Sequence, residues 1–198
     1  MKRLFDVMLS ALGLVLSLPM SLAIAAAIRL DDGGPVLFTQ TRVGQGGRRF
    51  RTFKFRSMRV GLERVAVQAA EDDPRITRVG RLLRATAMDE LPQLWNILRG
   101  DMSFVGPRPL ADGEIEVGSA GAPVALADIP GYRDRHAVRP GLTGLTQVHA
   151  SRDVSRRNKF RLDRLYVRHA SFCFDLRLVL LSFWITARGR WEERGRKF

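Results

Sequence analysis

The run Val7-Met8-Leu9-Ser10-Ala11-Leu12-Gly13-Leu14-Val15-Leu16-Ser17-Leu18-Pro19-Met20-Ser21-Leu22-Ala23-Ile24-Ala25-Ala26-Ala27-Ile28 is 22 residues long and carries no charge. At helical rise it reaches about 33 Å, enough to cross the hydrocarbon core of a bilayer. Lys2 and Arg3 precede it, Asp6 is the only early acid, and the next charge is Arg29. Three arrangements fit. A secretory signal would share the basic start and the cleavage-like Ala23-Ile24-Ala25, but it would export an arginine-rich body against the translocation bias. A spanning helix would keep that body on the cytoplasmic side. A re-entrant helix would break at Pro19, where a donor is missing and Ser17 and Ser21 can satisfy freed carbonyls; Lys2, Arg3 and Arg29 would then share one headgroup layer. The residues alone favour spanning, because kinked spanning helices are common.

Outward from this run the chain reads as a protein with a real core. It has 198 residues, 45% of them hydrophobic, which excludes disorder as the default. Lys and Arg number 33 against 20 Asp and Glu, a net of +13 that calls for an anionic partner: nucleic acid, acidic lipid or a phosphorylated substrate. Cys173 is the single cysteine, so no intrachain disulfide forms; between Phe172 and Phe174 it reads as a buried or lipid-facing thiol. His136, His149 and His169 have no metal-ligand spacing.

Gly33-Gly34-Pro35 ends the apolar segment with a turn. Val36 to Gln40 and the alternating Arg49-Phe50-Arg51-Thr52-Phe53-Lys54-Phe55-Arg56 read as strands joined at Gly44–Gly47, a hairpin with one cationic face. Arg59 to Ala70 reads as helix. After Pro74, Ile76, Val79, Leu82 and Leu83 recur at helical spacing, with Arg75, Arg78, Arg81 and Arg84 opposite. A shorter helix from about Leu91 carries Leu91, Leu94, Trp95 and Leu98 as its apolar stripe and closes at Gly100. Ala111 to Pro130 reads as a loosely ordered insert. Ser171 to Ala187 suits an amphipathic interfacial helix, and Arg188 to Lys197 a polybasic tail drawn to anionic lipid. The fold class is α+β and mostly helical.

Two features carry chemistry. Asp89-Glu90-Leu91-Pro92 lies at the expected start of the Trp95 helix. Acids there are commonly caps, yet the same positive helix end attracts phosphate. A carboxylate so placed can attack phosphorus if a cation such as Mg²⁺, bound through Asp89 and substrate phosphates, offsets the repulsion. The second feature is Gly106-Pro107-Arg108-Pro109, a rigid frame for one guanidinium suited to phosphate. Arg139-Pro140-Gly141-Leu142-Thr143-Gly144 repeats the theme, a base beside a glycine loop whose amides can approach a phosphate.

In order along the chain, Lys2-Arg3-Leu4-Phe5-Asp6, Gly34 to Phe38, Phe53-Lys54-Phe55-Arg56-Ser57-Met58, Asp73 to Thr77, Asp89 to Asn96, Gly100 to Pro109 and Val138 to Gly144 resemble the bacterial sugar transferases, the monotopic phosphoglycosyl transferases, from end to end. The chain looks like their small form, consisting of the catalytic domain only. The resemblance implies transfer of a sugar 1-phosphate from a UDP-sugar to polyprenyl (undecaprenyl) phosphate, with release of UMP. It implies a ping-pong route through a phosphosugar on Asp89, with Glu90 in support and Mg²⁺ as cofactor. It further implies phosphate contacts from Arg84, Arg108, Arg139 and Lys54, and a re-entrant helix broken at Ser17 and Pro19. That reverses the preference for spanning and divides the chain into a membrane helix, 1–30, and a cytosolic catalytic domain, 31–198, on the inner membrane of a bacterium. Nucleic acid is then not a partner, and the oligomeric state stays open. The chain departs from the family pattern at Thr146, where an aromatic residue commonly precedes Gln147-Val148, at Ser151 in place of glycine, and in the insert; no donor sugar follows.

Overall fold

The computed structural model describes residues 1–60, 73–117, 123–151 and 154–188. Most of the helix expected over Arg59–Ala70 and of the basic tail lies outside them. The chain begins with α1 (Lys2–Asp32), followed by β1 (Leu37–Val43), β2 (Arg49–Phe55), α2 (Arg78–Ala85), a 3₁₀ turn (Met88–Glu90) and α3 (Gln93–Arg99). Then come β3 (Ser103–Val105), β4 (Leu110–Ala111), β5 (Ile115–Val117), β6 (Pro123–Ala125), α4 (Tyr132–Arg135), β7 (Gly141–Thr143), α5 (Leu145–His149), α6 (Arg156–His169) and α7 (Phe172–Ala187). The expected α+β, mostly helical class is what the elements form.

α1 is 31 residues long and apolar enough to cross a membrane. Helical hydrogen bonding continues through Ser17 and Pro19, the position of the expected break. Proline deletes a single i→i−4 bond, and the bonds on either side still hold the helix; Ser17 Oγ leans to the Leu14 carbonyl at 3.4 Å. Gly33, at φ 71°, ends the helix and donates its N–H to the Arg29 carbonyl, as glycine alone does without cost.

Both ends of α1 are fastened to the body. Arg3 donates from Nη1 and Nη2 to the carbonyls of Ile97 and Leu98, at 2.6 and 2.7 Å, filling acceptors left open at the end of α3. Buried Asp6 accepts from Ser103 Oγ and the Phe104 N–H, each at 3.1 Å. Lys2 pairs with buried Asp175 of α7, and Tyr166 donates to the same carboxylate at 2.8 Å. At the far end Asp32 pairs with Arg56, and Asp31 accepts from the Val79 N–H at 3.1 Å. Ile24 and Ile28 bury against Phe55 and Leu83, each contributing roughly 1.5–3 kcal/mol. Between these anchors Val15, Leu16, Leu18 and Leu22 stay exposed.

β1 and β2 form the expected antiparallel hairpin, Leu37 opposite Phe55 through Val43 opposite Arg49. β4 adds to the other edge of β1, so Ala111 belongs to a sheet. Among the described residues of the insert, β5 and β6 also pair antiparallel, Ile115 opposite Ala125. Glu114 and Glu116 receive the Arg156 guanidinium and N–H, tying the insert to α6. The main core joins Leu94, Ile97, Met102, Val105, Val148, Tyr166, Leu178 and Ile185.

Two helical stripes differ from expectation. α2 starts only at Arg78, where Thr77 caps it by accepting the Gly80 N–H at 2.9 Å; Ile76 instead bridges to Met58. In α3 the buried apolar positions are Leu94 and Ile97, while Trp95 is 48% exposed. Cys173 is exposed on α7, next to exposed Phe172, so it is not a core thiol.

Candidate active site

The acidic pair does not cap α3. Pro92 holds the position before that helix, and Asp89 and Glu90 belong to the preceding 3₁₀ turn. Ala87, at φ 55°, swings the chain out of α2 into that turn; it is the one non-glycine residue with positive φ among the described residues. Such a conformation costs an L-residue about 1–2 kcal/mol, and strain of this kind gathers at functional sites.

The turn opens on a cavity of about 1200 Å³. Asp89, Glu90, Lys54, Arg84 and Arg108 all line it, as do Leu9, Gly13, Leu16, Ser17 and Met20 of α1. Gly13 lies where α1 approaches α3; a Cβ there would meet Leu94 Cδ1 at 3.1 Å, so that side chain would have to shift by a few tenths of an ångström.

Neighbouring carboxylates meet different surroundings. Glu90 Oε1 receives Lys54 Nζ at 2.5 Å and Arg108 Nη2 at 2.7 Å. Burial alone would raise its carboxyl, but the charges of Arg108 and Lys54 outweigh it and hold Glu90 well below the usual range. Asp89 Oδ2 stands farther from the same cation, 3.9 Å from Lys54 Nζ. Burial, followed in importance by the opposing pull of Lys54 and the repulsion from Glu90, pushes Asp89 up to about 6. The result is a fixed anion beside one that is buried, ionised at neutral pH and lightly neutralised.

Arg139 does not line the cavity. Its loop packs backbone to backbone on the Arg108 loop: β3 and β7 run parallel, the Gly106 N–H donates to Thr143 O, and the Gly141 N–H donates to Pro107 O, each at 2.9 Å. A Cβ on Gly141 would stand 2.0 Å from Gly106 N. These glycines therefore let two chain segments touch, and the Gly141 amide, one of those expected to approach phosphate, is already bonded.

The sequence reading missed Arg42, Asn96, Arg135 and Asp163. Asn96 fastens β2 to α3, accepting the Phe53 N–H at 3.1 Å and donating to Arg51 O at 2.7 Å. Arg42 donates to Pro109 O at 2.8 Å; burial, aided by Arg108, lowers it to about 10, so it remains cationic. Only the alternation that put Arg42 near a cationic strand hinted at this. Among the described residues no cluster of three His, Cys, Asp or Glu could hold a metal by itself. Asp89, a carboxylate on the cavity, has the chemistry of a magnesium ligand, with substrate phosphates to complete the shell.

The sequence model described as bacterial sugar transferase matches residues 1–189. The chain is 42% identical over 186 residues to the exopolysaccharide production protein PSS of Rhizobium leguminosarum bv. phaseoli, covering 90% of this chain and 91% of that protein. It is 41% identical to the UDP-glucose:undecaprenyl-phosphate glucose-1-phosphate transferase of Escherichia coli K12, covering 92% of this chain and 39% of the relative. It is 40% identical to the UDP-N-acetylgalactosamine-undecaprenyl-phosphate N-acetylgalactosaminephosphotransferase of Aeromonas hydrophila, covering 90% and 41%. The chain thus spans about two fifths of the length of the latter two.

Proposed function

Because the chain belongs to the bacterial sugar transferase family, we propose that it moves a sugar 1-phosphate from a UDP-sugar to undecaprenyl phosphate, as an early step in exopolysaccharide synthesis. The observation that carries this reading is the buried Asp89 carboxylate on the cavity, beside a Glu90 already neutralised by Lys54 and Arg108. Relatives named for two different UDP-sugars share undecaprenyl phosphate as acceptor.

In the first half-reaction an Asp89 oxygen attacks the phosphorus bearing the sugar. A bond forms from carboxylate oxygen to phosphorus, and the bond from that phosphorus to the bridging oxygen breaks, releasing UMP. In the second, an oxygen of the lipid phosphate attacks the same phosphorus and Asp89 leaves as carboxylate. Dividing one displacement into two is the advantage of a covalent route. Arg108, Lys54 and Arg84 offset charge around the transferred phosphoryl group, and Glu90 keeps the first two in place. A bound Mg²⁺ supplies further neutralisation of the diphosphate.

The membrane reading rests on α1. Its exposed apolar middle needs a lipid cover, while Lys2, Arg3, Asp31 and Asp32 at its two ends all bond to one globular body. A helix re-entering one leaflet satisfies both, with the body on the cytoplasmic face. The cationic surface would favour anionic lipid.

UMP release measured across a panel of UDP-sugars, with Mg²⁺ and undecaprenyl phosphate, tests the activity. Labelled phosphosugar retained on the protein without acceptor supports the ping-pong route. Absence of an adduct in a protein that turns over points to one-step transfer.

A further inference from the structure

The proposed chemistry makes no use of Arg135 and Asp163, two of the most deeply buried charges of the described residues, 3% and 2% exposed. Arg135 Nε donates to Asp163 Oδ2 at 2.9 Å, and the guanidinium rests 4.8 Å above the Phe160 ring. Its Nη2 donates outward, at 2.5 Å, to the backbone carbonyl of Arg108. The other Asp163 oxygen accepts from Thr146 Oγ1 at 2.6 Å. That hydroxyl has one proton to give, and the carboxylate is a shorter and stronger acceptor than the Lys159 carbonyl at 3.2 Å. One residue along, Arg42 Nη1 holds the Pro109 carbonyl at 2.8 Å.

Two guanidinium groups, that of Arg135 buried and that of Arg42 partly buried, thus grip consecutive carbonyls where Arg108 projects its side chain to Glu90. The Arg108 side chain is 48% exposed and that of its partner Glu90 13%. Glu90 holds the guanidinium end, while the backbone end of this long side chain is held by the two carbonyl contacts. A buried ion pair gives little stability over apolar packing of the same shape, so stability alone does not account for this one.

We infer that Arg135, Asp163 and Thr146 are positioning residues: a buried relay that fixes the backbone of Arg108 and so aims its guanidinium at Glu90. The relay's role in catalysis rests on the transferase reading; its role in placing Arg108 does not. Thr146 is the point of least disturbance, since Thr146→Val keeps the shape and removes the donated proton, while Thr146→Ser returns it.

The test uses the full chain in lipid nanodiscs and two readouts. The first is the rate at which phenylglyoxal modifies Arg108, followed by peptide mass spectrometry. The second is kcat/KM for UMP release. Thr146→Val is expected to speed modification of Arg108 several-fold and lower kcat/KM by about tenfold, and Thr146→Ser to bring both back to within about twofold. Asp163→Asn, which keeps one acceptor oxygen, repeats the measurement should Thr146→Val lose its thermal transition. An unchanged Arg108 rate, or a serine variant as impaired as the valine one, overturns the relay. A wild-type protein that releases no UMP from any UDP-sugar, while Arg108 protection follows the variants, overturns the transferase reading and leaves the relay standing.

Discussion

Asp89 and Glu90 are adjacent in the chain and share one 3₁₀ turn, yet Lys54 Nζ stands 2.5 Å from Glu90 Oε1 and 3.9 Å from Asp89 Oδ2. The shared cation has a side. It leaves Asp89 as the carboxylate whose charge is least neutralised, and that imbalance makes the pair chemically asymmetric.

An ionised Asp89 is held in the fold at a cost, so its replacement should stabilise. The carboxyl rises from 3.8 to about 6 on folding. Its contribution to stability is therefore fully present below the unfolded value and lost as pH rises through the folded one. Asp89→Asn, without Mg²⁺, should gain on the order of 2 kcal/mol at pH 7–8, or about 5 °C in Tm for a chain of this size. The gain should vanish near pH 4. The same variant should release no UMP and trap no phosphosugar. Calorimetry over that pH range, alongside the UMP assay, checks both halves; retained turnover would remove Asp89 as nucleophile.

Lys54 lowers the Asp89 carboxyl, so removing it should move the ionisation upward. Lys54→Met is expected to shift the acid limb of the kcat/KM profile to higher pH and to reduce kcat/KM by roughly 10²-fold. A limb that stays in place would show that the pH dependence belongs to another group.

Asp175 is 3% exposed and gathers Lys2 from α1 and the Tyr166 hydroxyl from α6. Asp175→Ala leaves both donors short of a partner and should cost about 2–4 kcal/mol. A thermal midpoint lowered by less than about 3 °C would mean that the other anchors of α1 suffice.

Single cysteines at Leu4 and Leu30, 65% and 88% exposed, introduced in a Cys173→Ser background, read the topology of α1. Both should react with a membrane-impermeant maleimide from the cytoplasmic side of oriented vesicles. Reaction from opposite sides would overturn the re-entrant arrangement.

What the sequence could reveal was what neighbours along the chain decide. The charge-free run marked the middle of α1, alternation gave β2, and Gly100, at φ 96°, marked the end of α3 as expected. Partner choice was hidden, because it is made over distance: Glu90 takes its cations from 36 residues before it and 18 after it. Arg139 and Arg108 look alike in local context, each set beside proline and glycine, and only the parallel pairing of β3 with β7 turns one loop into a support for the other. Apolar stripes misled at Trp95 and Leu82, which the fold leaves exposed, because single apolar side chains on a protein surface are ordinary. The departure at Thr146, seen in the sequence without a reason, acquires one from the Asp163 contact.

The Arg3 contacts have a mechanical side. α3 starts three residues after Glu90, touches α1 at Leu94, and has its last carbonyls in the grip of Arg3. It is a strut with the acidic turn at one end and the first residues of the chain at the other. Any tilt of α1 against the body is therefore passed along α3 to the turn that holds Asp89.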